Sequence, residues 1–525
     1  MPGTIRVGNG FPGSTGPQVP SAAMEPGQTS SETGPRADRE RKLAELKALG
    51  VDPYPADSHR THLTQEVRDR YGEIEGTTAT IAGRLMARRG HGKLLFLDVQ
   101  DKAGKLQALV DSSILGPLDP ASGALGFENV DRLVDRGDLV EVTGEVTTSR
   151  RGEISLMASR VRMLAKAVEP LPDAWHGVTD PETLVRKRYL QSIVEPETRA
   201  RFEVVSELLF GIRAFLHERG FLEFQTPVLQ PLYGGGKARP FTTHVKALGR
   251  DYYLAISHEL YLKRLVIAGF EDVFTIGRYF RNEGIDKTHN PEFSMLETMS
   301  AFHGYEFNMD LTEALYKHLA GDVVDKPVIE VKGQQVDLTG DWRRASMVDL
   351  VKETVDVDFR EVTTLDEAER ILTSHGVPAQ PTVGHALVAL FEAAVEPTLI
   401  QPTIVHGHPV EISPLAKATA DDPRYVERFE VFVGGTEQGD NWTELNDPVE
   451  LRRRFTAEQQ RRSDGDDDEA HPLDFEFIEA MEHGMPPTTG LGPGIERLAM
   501  LLTETDDIGD VIYFPLVRPL QPPPT

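Results

Sequence analysis

The run RYFRNEGIDKTHNPEFSMLE, from Arg278 to Glu297, joins two stretches of alternating apolar and polar residues through a polar loop. That loop holds Arg281, Glu283, His289, Asn290 and Glu292, more charge than the solvation of a surface turn requires. On the incoming stretch Phe274, Ile276 and Phe280 share a face by the two-residue period of a strand, so Arg281 projects from the other face. The outgoing stretch places Phe293, Met295, Glu297 and Met299 on one side. A ring to stack on and an arginine for phosphate suit a nucleotide. The competing reading is a charged, exposed ribbon.

A second segment, TTGLGPGIERLAMLL, reads as a glycine-rich strand running into a helix that buries Ile495, Leu498, Ala499 and Leu502. Arg497 falls in the first turn of that helix, where the positive end of the dipole already favours anions. Taken singly the signal is weak, because glycine turns before helices are common.

These segments need a frame, and 525 residues are enough for two or three domains, since single cores stop growing near about 250–300 residues. An apolar fraction of 39% is ordinary for a globular protein, and no apolar run is long enough to span a membrane. With no cysteine, disulfides, thiolate metal sites and cysteine nucleophiles are excluded, so any metal must be held by oxygen or histidine. The first residues lack a basic segment followed by an apolar one, which makes the cytoplasm the expected location. A net charge of −27 argues against a protein that coats nucleic acid generally. The stretch from Ile81 to Lys166 stands apart, with 13 Lys and Arg against 11 Asp and Glu.

Residues 1–36, rich in Gly, Pro, Ser and Thr, read as a disordered tail. Residues 37–170 read as a short charged helix with Leu43, Leu46 and Leu49 on one side, followed by about five short strands from Thr78 to Leu164. Glycines at the bends favour a small closed barrel of the OB kind over a small sandwich. Proline and tryptophan in EPLPDAWHG mark a linker at the start of residues 171–525. Those residues open on an amphipathic helix carrying Phe202, Val205, Leu208, Leu209 and Ile212, and then mix strands and helices without βαβ alternation, as in an α+β domain on an antiparallel sheet. The acidic run DGDDDE at Asp464 to Glu469 reads as a solvated loop.

FRNEG with HNPEF resembles motif 2 of the class II aminoacyl-tRNA synthetases, GLGPGIERL resembles their motif 3, and FLEFQTPVL resembles motif 1, the dimer-forming helix and strand. LYGGGKARPF, HELYLKRL, ISPLAK and TELND further resemble the lysyl-tRNA synthetase branch. The resemblance implies an ATP-dependent, magnesium-requiring homodimer that makes an aminoacyl-adenylate and passes the acyl group to a tRNA(Lys)-type tRNA. It implies roles for Arg281 and Arg497 as the catalytic arginines, and for Glu283, His289, Asn290, Phe293 and Glu437 around ATP. Glu430 and Glu437 match the magnesium ligands. Gly235, Glu259, Met299, Asp440, Trp442 and Glu444 fall at amino-acid-pocket positions, and Arg89, Phe96 and Gln107 at anticodon-reading positions on the barrel.

The amino-acid pocket departs from the family pattern. Glu259 and Glu444, matching the contacts to the two amines of lysine, are present, but Met299 replaces the usual tyrosine. Asp440 stands where an asparagine near the substrate carboxylate is usual, Asn441 and Trp442 follow it, and Ser257 and His258 precede Glu259 in place of a small residue and proline. Two unit charges about 4 Å apart repel by roughly 4 kcal/mol at an effective dielectric near 20. Lysine with a neutralised Asp440, a lysine-like diamino acid, and insensitivity to a lysine mimic are the competing explanations. From other classes come a non-catalytic RNA-binding paralogue and a ligase that modifies a protein.

Overall fold

The computed structural model describes residues 34–172, 180–236, 238–413, 415–463 and 474–518. The expected N-terminal tail up to residue 33, the DAWHG part of the linker and the DGDDDE run lie outside the described residues. The chain divides into two compact units, Met1–Asp173 and Ala174–Thr525.

In the first unit, helix α1 (Pro35–Ala48) buries Leu46 and gives way at Gly50, whose φ of 74° is readily reached only without a side chain. Five strands follow: β1 (Thr78–His91), β2 (Leu94–Gln100), β3 (Lys105–Asp111), β4 (Leu139–Thr148) and β5 (Ile154–Ala165). They close into a barrel in the order β1-β2-β3-β5-β4, so the sandwich alternative is set aside. Alternation drives the closure. Leu95, Leu97 and Val99 of β2 and Leu106, Ala108 and Val110 of β3 point inward and are buried, each large side chain contributing about 1.5–3 kcal/mol.

The second unit is built on an eight-stranded sheet. Its elements, in chain order, are α2 (Pro196–Glu218), β6 (Leu222–Glu223), α3 (Glu259–Ile267), β7 (Asp272–Phe280), β8 (Glu292–Ala301), α4 (Tyr305–His318), β9 (Arg343–Ser346), β10 (Thr403–Pro409), β11 (Tyr425–Phe432), β12 (Glu437–Thr443), β13 (Thr488–Leu491) and α5 (Ile495–Thr503). The strand order is β9-β10-β11-β12-β13-β8-β7-β6, antiparallel except for the two edge pairs. One face packs on α2, α4 and α5 through a core that includes Leu208, Ile212, Leu315, Leu491 and Leu498. A separate cluster gathers the helices Met347–Val355, Leu365–Ser374 and Val383–Ala394 around Phe359, Leu387 and Phe391. Among the described residues no helix is long and apolar enough to cross a membrane.

Candidate active site

The antiparallel pair β7 and β8 sets Tyr279 opposite Phe293, and the Arg281 N–H donates to the Pro291 carbonyl at 2.9 Å, closing the ladder beneath the polar loop. Phe293 stacks on Tyr279 with ring centres 5.7 Å apart, and the Arg281 guanidinium carbon lies 5.2 Å from the Phe293 centroid. This stacking positions the arginine, yet its Nε is buried without a partner, a donor free to meet an anion. Helix α5 is pinned to the hairpin from its first turn, where the Glu496 carboxylate accepts from the Ser294 N–H at 2.9 Å. One turn of helix thereby carries Arg497 to the same place.

Every residue expected at the ATP, metal and amino-acid positions lines one cavity of about 380 Å³. At the nucleotide end, Arg497 Nη1 donates to Glu437 Oε2 at 3.0 Å, and Arg497 Nη2 lies 3.5 Å from His289 Nε2. Burial pushes the Glu437 carboxyl up to about 7, with the charges of Asp440 and Glu430 adding to it against the pull of Arg497. Glu430 goes the other way. Burial alone would raise it, but His408 and Arg428 overcome that and hold it at about 2, with Arg428 Nη2 2.6 Å from Glu430 Oε1 and His408 Nε2 3.3 Å from Glu430 Oε2. The carboxylate oxygens of Glu430 and Glu437 are hard donors of the kind a divalent cation such as magnesium takes, and a cation there would relieve the repulsion among Glu437, Asp440 and Glu430. Among the described residues no group of three or more acidic or histidine side chains is placed to hold a metal unaided.

At the amino-acid end, Gly235 adopts a φ of 82°, and a Cβ there would lie 2.7 Å from Ser257 Oγ. Glu297 accepts from Ser257 Oγ at 2.7 Å and from the His258 N–H at 2.9 Å, a donor that the family's proline would lack. Burial pushes the Glu297 carboxyl up to about 7. Lys263, one helical turn after Glu259 on α3, inserts its ammonium between Glu259 and Glu444, 2.6 Å from Glu444 Oε2. The Trp442 indole N–H donates to the same oxygen at 2.8 Å. Glu444 Oε1 is buried without a partner. Burial raises the Glu444 carboxyl, with Glu259 adding to it, while Lys263 opposes.

On the barrel, Arg89 is directly opposite Phe96 and Gln107 directly opposite Asp98, so the three expected anticodon residues share one outer face. Arg89 Nη2 lies 3.2 Å from Asp98 Oδ1.

Residues 180–518 match the family model of class II tRNA synthetases (D, K and N), and residues 79–164 match that of the OB-fold nucleic acid binding domain. The chain is 43% identical over 485 residues to a lysine–tRNA ligase of Moorella thermoacetica, covering 92% of this chain and 97% of that one. It is 43% identical over 489 residues to a lysine–tRNA ligase of Bacillus subtilis, covering 91% and 96%. Against a lysine–tRNA ligase of Streptococcus pneumoniae the identity is 44% over 492 residues, covering 91% and 97%. The chain belongs to the class II lysine–tRNA ligase family.

Two residues that shape the site, Lys263 and Arg428, are not among those expected from the sequence, nor is the role of a third, Trp442. Lys263 was signalled by its spacing of four from Glu259, and Arg428 by its spacing of two from Glu430 on one strand face. The bond from Trp442 to Glu444 follows the same strand period, but only coordinates show that the indole N–H reaches a carboxylate.

Proposed function

We propose that this chain activates lysine with ATP and transfers it to the 3′ end of a tRNA(Lys)-type tRNA. One observation carries the substrate reading: Glu259 and Glu444 are both buried at one end of the cavity and share a single cation, Lys263. With one ammonium between two buried carboxyls, the second ionises only at a cost, which is why burial raises Glu444, and its ionised form calls for a second cation. A side-chain amine supplies it.

The nucleotide lies with its adenine on Phe293 and its α-phosphate against Arg281, while Arg497 and His289 meet the distal phosphates and Glu283 and Asn290 border the loop. A magnesium ion held by Glu430 and Glu437 would neutralise phosphate charge when bound. An oxygen of the substrate carboxylate forms a bond to the α-phosphorus as the bond to pyrophosphate breaks, the leaving group taking the electron pair. No general base is needed, because the attacking carboxylate is already ionised. Alignment and charge neutralisation by the arginines supply the rate. The tRNA terminal hydroxyl then attacks the acyl carbon and AMP departs.

Arg89 and the half-exposed Phe96 stand on one strand face with the buried Gln107, an arrangement that supports reading of an unpaired anticodon base by stacking and hydrogen bonding. Around motif 1, Phe210, Leu222 and Leu229 are exposed large apolar side chains, which supports pairing with a second copy of the chain. Protein synthesis would place the reaction in the cytoplasm. The test is charging of tRNA(Lys) with labelled lysine in the presence of ATP and magnesium: an acid-precipitable, base-labile product is expected, and its absence would overturn the reading.

A further inference from the structure

The side-chain end of the amino-acid pocket is built from two strands and a helix. Met299 on β8 and Trp442 on β12 both pair with Gly490, the residue of β13 between them. Gly490 is the floor of this end, with the Met299 thioether lying over it and Trp442 on its other side. The floor has to be glycine: a Cβ on Gly490 would lie 2.7 Å from Met299 Cε. Behind the walls, Glu444 has one oxygen, Oε2, occupied by the Lys263 ammonium and the Trp442 indole N–H, at 2.6 and 2.8 Å. Its other oxygen, Oε1, is fully buried and has no partner. Glu444, Met299 and Trp442 all line the cavity.

The β8 side of this end is a thioether, which offers a substrate ammonium no hydroxyl oxygen. A substrate ammonium carries three N–H groups, and Glu444 leaves it one free oxygen. The walls that remain are a polarisable, flexible methionine and an indole, surfaces that accept methyl groups and attract an alkylated cation. We propose, resting on the reading of the chain as an activator of a diamino acid, that Glu444 binds the substrate side chain through one charge-assisted hydrogen bond at Oε1, and that the Met299 and Trp442 walls admit ε-N-methylated lysines. Trp442 and Lys263 act as positioning residues that fix Glu444. A cation is required, and one N–H is required of it.

The test is amino-acid-dependent ATP–pyrophosphate exchange by the full chain with lysine, its ε-N-methyl, ε-N,N-dimethyl and ε-N,N,N-trimethyl derivatives, and norleucine. The monomethyl and dimethyl forms, which keep at least one N–H, should stay within about tenfold of lysine in kcat/KM. The trimethyl form, with charge but no N–H, and norleucine, with neither, should fall by at least about a hundredfold. In Met299→Tyr the discrimination against the methylated forms should rise at least about tenfold. In Trp442→Phe the KM for lysine should rise with kcat nearly unchanged, an effect that loss of stability alone would not produce.

Strong exchange with lysine beside a hundredfold loss with the monomethyl form would overturn this proposal and leave the lysine reading standing. Exchange with norleucine as good as with lysine would overturn it too, by showing that Lys263 already satisfies the carboxylates. Absence of exchange with every acid would overturn both.

Discussion

Glu430 and Asp440 stand directly opposite each other across the antiparallel pair of β11 and β12, and one nitrogen of Arg428 reaches both, at 2.6 and 3.2 Å. Like charges opposed in a sheet repel, and this arginine, two residues from Glu430 on the same strand face, is what makes the pair tolerable. Asp440 therefore has a cation, but a shared one. Burial raises its carboxyl, Glu430 adds to that rise, and Arg428 opposes.

Replacing Asp440 by Asn removes a negative charge near the expected substrate carboxylate while keeping the shape. Lysine KM in pyrophosphate exchange should fall by about tenfold, a fraction of the roughly 4 kcal/mol that an unshielded pair would impose. An unchanged or higher KM would show that Arg428 already neutralises the site.

Removing Arg428 has the opposite character. Arg428→Met leaves Glu430 and Asp440 buried without their shared cation, and loss of one partner from a buried ion pair costs about 3–5 kcal/mol. Denaturant unfolding should show a loss of that order. Adding Asp440→Asn to the same chain should recover part of it, and strictly additive effects would contradict the coupling.

Glu297 gives a pH signature. Its carboxyl is raised by burial to about 7 in the fold against an ordinary value of 4.5. The folded chain holds a proton that the unfolded chain releases, so this contribution is fully present below pH 4.5 and is lost as pH rises through 7. The shift corresponds to about 3 kcal/mol. Glu297→Gln should remove that part of the pH dependence between pH 5 and 8, as read by urea unfolding at each pH, and parallel pH profiles for the two proteins would contradict it.

Much of this was legible in sequence because the signals are local and periodic. The five barrel strands declare themselves as short apolar-rich runs between turn residues, and the hairpin from Arg278 to Glu297 places its own residues by the two-residue period. The motif residues recognised by resemblance line one cavity. What escaped was the partner of each charge. The cation shared by Glu259 and Glu444 comes from Lys263, and the donor that fixes Glu444 comes from Trp442. Residue spacing brings Lys263 near Glu259 and Trp442 near Glu444, but which oxygen each meets depends on rotamers and on how α3 packs against the sheet.

The barrel makes a separable prediction. Stacking on an aromatic ring is worth about 1–3 kcal/mol per base, so Phe96→Ala should raise the KM for tRNA by about 5- to 150-fold. Pyrophosphate exchange, which needs no tRNA, should be unchanged. A parallel loss in both assays would mean that the substitution acts through folding rather than through the anticodon.

The most direct measurement is lysine-dependent ATP–pyrophosphate exchange by the wild-type chain and by Glu444→Gln. The expected result is robust exchange with lysine in the wild type and, in the variant, a fall of at least about a hundredfold in kcat/KM for lysine with the KM for ATP held. No lysine-dependent exchange in the wild type, or a Glu444→Gln enzyme with an unaltered lysine KM, would contradict the pairing of a substrate amine with this buried carboxylate.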